Sequence, residues 1–370
     1  MNEYAIGVGY SSVKLVSHDL LYVKTLILED MVFVSMDLTS LTDNNIQHFK
    51  KIIQEIMDTS HVFISVTHNF SSPHIHEKDI EVRDYLYSKF DEALRNSIQM
   101  AIQNRSICTI EYGVGQCFIN VNRNVETKEG YWIGQNNAGY SNRDVRVLLI
   151  KKENQCIANI INYDLQCSVL DKVNVLSADI AGYVSQYFLN ENIVSFFVPG
   201  AEADQMPKYV IQEYSEIKRL GKLLYASIPK FGISISGQII YKTKLVELPK
   251  QVMKYATKDL KPHKTFDFEI TNEKLYVPIE YIGFDQLNIL LTKPELNSEY
   301  GVEIQHCFNE HTMIFTLING GCKYLPQKSD YEKVTYMSMN TTIAQGADRI
   351  FLDAVMELKK EVRDESRKES

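Results

Sequence analysis

A mixed α/β fold in one large domain is predicted by three features of the 370-residue sequence. Short apolar runs suited to buried strands alternate with stripes of helical period. Two of those runs face each other across a polar turn, which requires antiparallel pairing, so the expected sheets are mixed, with flanking helices, and not doubly wound. No Gly/Ser- or Pro-rich linker and no repeat with a period of about 20–50 residues interrupts the chain. The expected domain therefore spans residues 1–365, with a charged tail at 366–370.

In chain order, Val32-Phe33-Val34-Ser35-Met36 reads as a buried strand. Asp43 stands where a cap is needed for the helix that follows, whose apolar face is Ile46, Phe49, Ile52, Ile53 and Ile56. Val62-Phe63-Ile64-Ser65-Val66 is a short strand running into the polar cluster 67–72. Val82, Leu86, Phe90, Leu94, Ile98 and Ala101 then mark one face of a long helix. Residues 107–163 are strand-rich, with 145–150 and 156–161 forming a hairpin around Lys152-Glu153-Asn154. Ile180, Tyr183, Val184, Tyr187 and Phe188 make a helical stripe, 194–198 a strand and 209–226 another helix. A second β-rich stretch covers 232–248, a further strand 287–291, and a closing helix 343–363.

Composition bounds the function. At 45% hydrophobic and 23% charged the chain is globular. A net charge of −8, from 47 acidic and 39 basic residues, gives no general attraction to a phosphate backbone, so nucleic acid is not an expected partner. The six cysteines (Cys108, Cys117, Cys156, Cys167, Cys307 and Cys322) include no C-x-x-C pair and read as reduced thiols. Met1-Asn2-Glu3-Tyr4 opens no secretory leader, and no run approaches the roughly 18 apolar residues of a membrane span. A soluble cytoplasmic protein is expected.

The familiar catalytic templates fail. Gly7-Val8-Gly9 is a fragment of G-x-G-x-x-G with no strand read before it, and no P-loop, G-x-S-x-G elbow or H-E-x-x-H occurs. A site must be assembled from distant residues. Three segments share one grammar, an apolar strand followed by small and polar residues: Thr67-His68-Asn69-Phe70-Ser71-Ser72-Pro73, Asn162-Tyr163-Asp164-Leu165-Gln166-Cys167-Ser168, and Pro199-Gly200-Ala201-Glu202-Ala203-Asp204-Gln205-Met206-Pro207. Strand ends of this kind are where side chains converge on ligands. The plainer readings are a turn-capping histidine at His68 and ordinary turn chemistry at Gly200 and Pro207. His74 and His76 read as exposed.

Taken in order, Val62–Pro73, Asn122-Arg123, Asn162–Val169, Ser177-Ala178-Asp179, Gly200–Pro207, Pro294-Glu295 and Asn319–Tyr336 resemble the successive motifs of the neutral, non-lysosomal ceramidase family over nearly all of residues 1–360. The resemblance implies that family's catalytic domain without its C-terminal immunoglobulin-like domain. It also implies zinc-dependent hydrolysis of the amide of an N-acylated sphingoid base by a metal-activated water. The family holds its metal with two histidines, a glutamate and a tyrosine. Where it writes T-H-T-H-S-G-P, His68 matches the first zinc histidine, and Phe70 replaces a second histidine that contacts substrate or handles a proton. Glu295 matches the glutamate ligand and Tyr324, in Asn319-Gly320-Gly321-Cys322-Lys323-Tyr324-Leu325-Pro326, the tyrosine ligand. Tyr336 matches a second site tyrosine, and Arg123 an arginine close to the substrate.

Two departures set the alternatives. The second zinc histidine, in a segment of the type N-Y-x-x-H-P, falls on Gln166, or on Cys167 with a one-residue shift; the serine that assists the reaction falls on Gly200. Glutamine is a weak neutral zinc ligand and a thiolate a strong one. With metal, the resemblance implies an amide hydrolase in which Arg123 and Tyr336 donate to the developing oxyanion. Without metal, Cys167 beside His68 is the minimum for a covalent acyltransferase or an amide-forming enzyme. The bland reading of Cys167 is a buried small hydrophobe, and eroded ligands are also compatible with a noncatalytic binding protein. The expected substrate is a small N-acylated metabolite, as from a biosynthetic pathway, or a lipid-like one.

Overall fold

In the computed structural model, which describes residues 3–75 and 78–366, alternation along the strands sorts the buried side chains into layers. The chain opens with an antiparallel meander of β1 (Tyr4–Ser12), β2 (Tyr22–Leu28) and β3 (Met31–Met36). Helix α1 (Asp43–Ile56) leads to β4 (Val62–Val66), parallel to β3. After helix α2 (Ile80–Gln103), β5 (Ser106–Gln116) returns beside β1. A separate hairpin of β6 (Asn120–Thr127) and β7 (Gly130–Asn136) follows, then the hairpin of β8 (Asp144–Lys152) and β9 (Gln155–Tyr163). Helix α3 (Asp179–Asn190) carries the chain to β10 (Val194–Pro199), parallel to β9. Strand β11 (Gln205–Pro207) joins β6, helix α4 (Tyr214–Ser227) follows, and β12 (Ile233–Ile235) pairs with β5. The main sheet has the order β10-β9-β8-β5-β1-β2-β3-β4.

The second sheet is built from β13 (Ile240–Gln251), β14 (Ile270–Gly283), β15 (Asn288–Thr292) and, after the two-residue β16 (Glu295–Leu296) and helix α5 (Ser298–Phe308), β17 (Thr312–Phe315). The two-residue β18 (Tyr324–Leu325) pairs parallel to β16, and the helices α6 (Lys328–Lys333), α7 (Tyr336–Met339) and α8 (Ala347–Ser366) close the chain.

One core lies between the sheets: Ile6, Leu26, Phe33 and Phe196 of the main sheet meet Ile289 and Phe315 of the second. The opposite face of the main sheet is covered in two halves. Val34 and Ile64 pack with Phe49 of α1 and Phe90 of α2, whereas Val147 and Phe197 pack with Val184 of α3 and Leu220 of α4. The outer face of the second sheet carries α5 and α8 through Ile279, Leu290, Ile304 and Val355. Twist of about 20–25° per strand accumulates across the main sheet. Strand β10, at one end of the order, therefore touches β3 and β4 at the other. Asn319 stitches the two sheets together: its Oδ1 accepts from Ile64 N at 3.0 Å, and its Nδ2 donates to Val62 O at 3.1 Å and to Glu280 at 3.2 Å.

The mixed, non-doubly-wound architecture and the hairpin turn are as expected. Glu153 and Asn154 have φ of 49° and 65°, the left-handed pair that a two-residue turn matching strand twist requires. Several boundaries differ for local reasons. Thr42, not Asp43, caps α1, its hydroxyl accepting from Asn45 N at 3.2 Å. Gly7 and Gly9 lie inside β1, where their missing side chains let α2 approach. The helix expected from Tyr209 begins at Tyr214, because Val210 N is held by the Glu216 carboxylate at 3.0 Å. Ile343 bridges to Lys250 as extended chain, so the closing helix starts only at Ala347, after Gly346 with φ of 89°. The long strand β14 carries no clean alternation on its exposed half and was not expected. His74 is exposed, whereas His76 and residues 367–370 of the expected tail lie outside the described residues.

Candidate active site

The three polar segments meet. Phe70 N donates to Cys167 O at 3.0 Å and Cys167 N to His68 O at 3.2 Å, which joins the loop after β4 to the loop after β9. Gly200 N donates to Tyr163 O at 2.9 Å, and Ala201 N to Asp164 Oδ1 at 2.9 Å, which adds the loop after β10. The second sheet contributes at the same place. Thr316, just beyond β17, donates its N–H to Pro199 O at 3.1 Å, and Ala203 N reaches Leu296 O at 2.9 Å. Glu295 and Tyr324 are paired residues on β16 and β18. The site is thus a seam between sheets, built from residues as far apart as His68 and Tyr336.

At its centre His68 has φ of 51°, a left-handed backbone of the kind that collects at functional sites. Its Nδ1 donates to the Thr39 carbonyl at 2.7 Å, which fixes the tautomer and leaves Nε2 as the ring's lone-pair nitrogen. That Nε2 is buried, has no donor, and lies 3.4 Å from Glu295 Oε2. Ligand-capable atoms of His68, Glu202 and Glu295 all lie within 4.8 Å of one another, and all three residues are buried. Glu202 was not among the residues expected to carry chemistry, although its loop was. Its Oε2 accepts from Thr316 Oγ1 at 2.7 Å, while Oε1 has no partner. Burial, reinforced by Glu295, pushes the Glu202 carboxyl well above the usual range.

Arg123 sits at a β-bulge of β6, the kind of irregularity that re-aims a side chain. It is buried, with its guanidinium 5.4 Å from the centre of the Tyr324 ring and 5.7 Å from that of Tyr336. Its Nη1 donates to Gln166 Oε1 at 3.1 Å, but Nε and Nη2 have no acceptor. Gln166 in turn directs Nε2 toward Glu295 Oε2 and Glu202 O, both at 3.4 Å. Gln166, expected as a metal ligand, thus has one lone pair of its oxygen engaged by arginine and its NH2 on a carboxylate, and links Arg123 to Glu295. The Tyr336 hydroxyl accepts from Asn340 Nδ2 at 2.9 Å, and the ring stands edge-on to Tyr324 and Trp132.

Phe70 lies edge-on to His68, with ring centroids 4.8 Å apart, and forms a half-buried apolar wall. At Gly200 a Cβ would lie 2.2 Å from Asp164 Oδ1, so the position has no room for a side chain in that direction. Cys167 joins the loops through its backbone, but its side chain is fully buried in the core beneath α3 and α4, and burial drives the thiol well above its ordinary pKa. A thiol in that state is neither nucleophile nor ligand.

The donor set fits a divalent cation. Buried, unpartnered polar atoms cost about 1–3 kcal/mol each. Here His68 Nε2 and Glu202 Oε1 carry that cost side by side, next to a second carboxylate. A cation among them would satisfy both and neutralise the carboxylates.

No protein-family model matches the chain, and no curated protein matches its sequence. Among solved structures, the chain is similar to the neutral ceramidase from Pseudomonas aeruginosa, with a TM-score of 0.77 and 13% identity over 98% of this chain and 75% of that one. It is also similar to a ceramidase complexed with C2, with a TM-score of 0.78 and 12% identity over 98% and 76% of the two chains. The fold is that of a neutral-ceramidase catalytic domain.

Proposed function

We propose that the chain is a hydrolase of a linear amide in an N-acylated substrate, with His68, Glu295 and Tyr324 holding a divalent cation, zinc in the first instance. The observation that carries this reading is the buried, tautomer-fixed and unpartnered Nε2 of His68 beside Glu295. A purely structural histidine would be expected to find a donor. When bound, such a cation supplies Lewis-acid polarisation of a carbonyl and lowers the pKa of water toward about 7.

The protein's own residues then have distinct tasks. Nε and Nη2 of Arg123 are two free, fixed, positively charged donors for the carbonyl oxygen as it gains charge. Gln166 holds the guanidinium in register with Glu295. The Tyr336 hydroxyl, anchored by Asn340, offers its proton toward the same oxygen. Phe70 carries no proton, so it excludes water on its side of His68 and leaves protonation of the departing amine to a hydroxyl or to water. The half-buried rings of Phe70, Trp132 and Tyr336 suit an apolar acyl group, small or lipid-like. Burial of Cys167 weighs against the metal-free acyltransferase. The uncompensated donors around Arg123 weigh against a binding protein without chemistry.

The test is hydrolysis of a panel of N-acyl amines of short and long chain, monitored by release of free amine. Activity should be lost to a chelator and restored by zinc. Arg123→Ala should lower kcat by about 100-fold or more, as removal of an oxyanion donor does. Amine release that is indifferent to chelation would overturn the metal assignment, and release from none of the panel would overturn the amidase.

A further inference from the structure

Glu202 lies within one of the motifs, Gly200–Pro207, but the expected ligand set has no place for it. Where a second histidine is implied, the chain has Gln166, whose oxygen accepts from Arg123 and whose NH2 faces the Glu295 carboxylate and the Glu202 backbone carbonyl. The vacated coordination role needs a donor with a free lone pair. The Glu202 carboxylate has one. It is fully buried, its Oε1 has no partner, its Oε2 is oriented by the Thr316 hydroxyl at 2.7 Å, and its oxygen lies within 4.8 Å of the donor atoms of both His68 and Glu295. Thr316 is held in place by its N–H, which donates to Pro199 O at 3.1 Å, and its hydroxyl oxygen also lies 2.7 Å from the Gly200 carbonyl, which competes with Glu202 for its one proton. The hydroxyl-to-carboxylate bond is the outer-shell support that metal-ligating carboxylates characteristically have.

We infer that Glu202 is a metal ligand and takes the coordination position of the missing histidine, giving a centre of one histidine, two carboxylates and the Tyr324 hydroxyl. This inference rests on the proposed cation site and adds to it a change in donor chemistry. A set with one imidazole and two carboxylates is harder than one with two imidazoles, and its two negative charges balance a divalent cation. Its discrimination between zinc and the harder manganese is accordingly narrower than that of a two-histidine set.

The experiment titrates metal-depleted full-length protein with Zn2+ and separately with Mn2+, by calorimetry and by the metal-induced rise in thermal midpoint. Wild type is compared with Glu202→Gln, Glu202→Asp and Glu295→Gln. Glu202→Gln should weaken binding of both metals by about 100-fold or more, since even outer-shell changes cost 10–100-fold. The metal-free Glu202→Gln protein should be at least as heat-stable as metal-free wild type, because a buried, unneutralised carboxylate has been removed. A merely structural glutamate would give the opposite sign there. Glu202→Asp, which keeps the charge but shortens the reach, should also lose affinity and covers the case in which the glutamine variant fails to fold. If wild type and both Glu202 variants bind equally well while Glu295→Gln does not bind, Glu202 is no ligand and the proposed function stands without it. If wild type binds neither metal, both readings fall together.

Discussion

His68 shows how a single residue reports on a site. It sits in left-handed backbone, gives its one N–H to the Thr39 carbonyl, and is left with a buried nitrogen lone pair 3.4 Å from a carboxylate. Its position, and those of Glu295, Tyr324, Tyr336 and Arg123, could be read from the sequence because each stands in an ordered series of motifs. Glu202 could not be assigned this way, although its loop was recognised. Residue-by-residue matching pointed to Gly200, two positions earlier, and only burial and an orphaned Oε1 reveal the carboxylate that faces inward. Cys167 is the converse case, since its neighbourhood to His68 was legible but the direction of its side chain was not. The expectation for that thiol is inertness. In the folded protein, alkylating reagent should label the half-buried Cys156, Cys307 or Cys322 well before Cys167, and Cys167→Ala should retain amide hydrolysis, as followed by mass spectrometry and amine release. Rapid labelling of Cys167 with loss of activity would restore the covalent mechanism.

At the scale of elements, the strands and helices with strong periodicity were legible, and those whose cause is tertiary were not. The apolar stripes of α1 and α2 follow directly from their sequences, as do the hairpin of β8 and β9 and the strand β10. Strand β1 was missed because two of its residues are glycines, which read as loop or as a fragment of a phosphate-binding motif. Their reason is contact: a Cβ on Gly9 would lie 2.0 Å from the Ser97 carbonyl oxygen of α2, and one on Gly7 would lie 2.1 Å from that of Ala101. Backbone atoms cannot step aside as a flexible side chain can. Gly9→Ala should therefore destabilise the protein by about 1–3 kcal/mol, as overpacking of a filled interior does. Chemical denaturation should show this as a lower midpoint with an unchanged slope. An unchanged midpoint would mean that α2 does not rest on β1 as closely as described.

The whole molecule places its site where two sheets share an edge, which explains why no local motif announces it. A main sheet curled until β10 meets β3 and β4, a second sheet packed against its inner face, and the short pair β16 and β18 together bring the loops after β4, β9 and β10 to one seam. That seam is crowded with buried acids. Glu202 and Glu295 are joined by Asp164 and Asp204, whose carboxyls burial raises to about 7 and about 6, although each accepts a hydrogen bond from Ser298. Arg123 is a buried cation among them, facing the Glu295 carboxylate and the rings of Tyr324 and Tyr336. A bound divalent cation would complete the balance of charge. Among the described residues no helix is long and apolar enough to cross a membrane. The most direct test is the metal content of the purified protein, wild type against Glu295→Ala, with circular dichroism to establish that both are folded. The account predicts a near-stoichiometric divalent cation in wild type that is lost in the variant. Folded wild-type protein that retains and rebinds no divalent cation would contradict it.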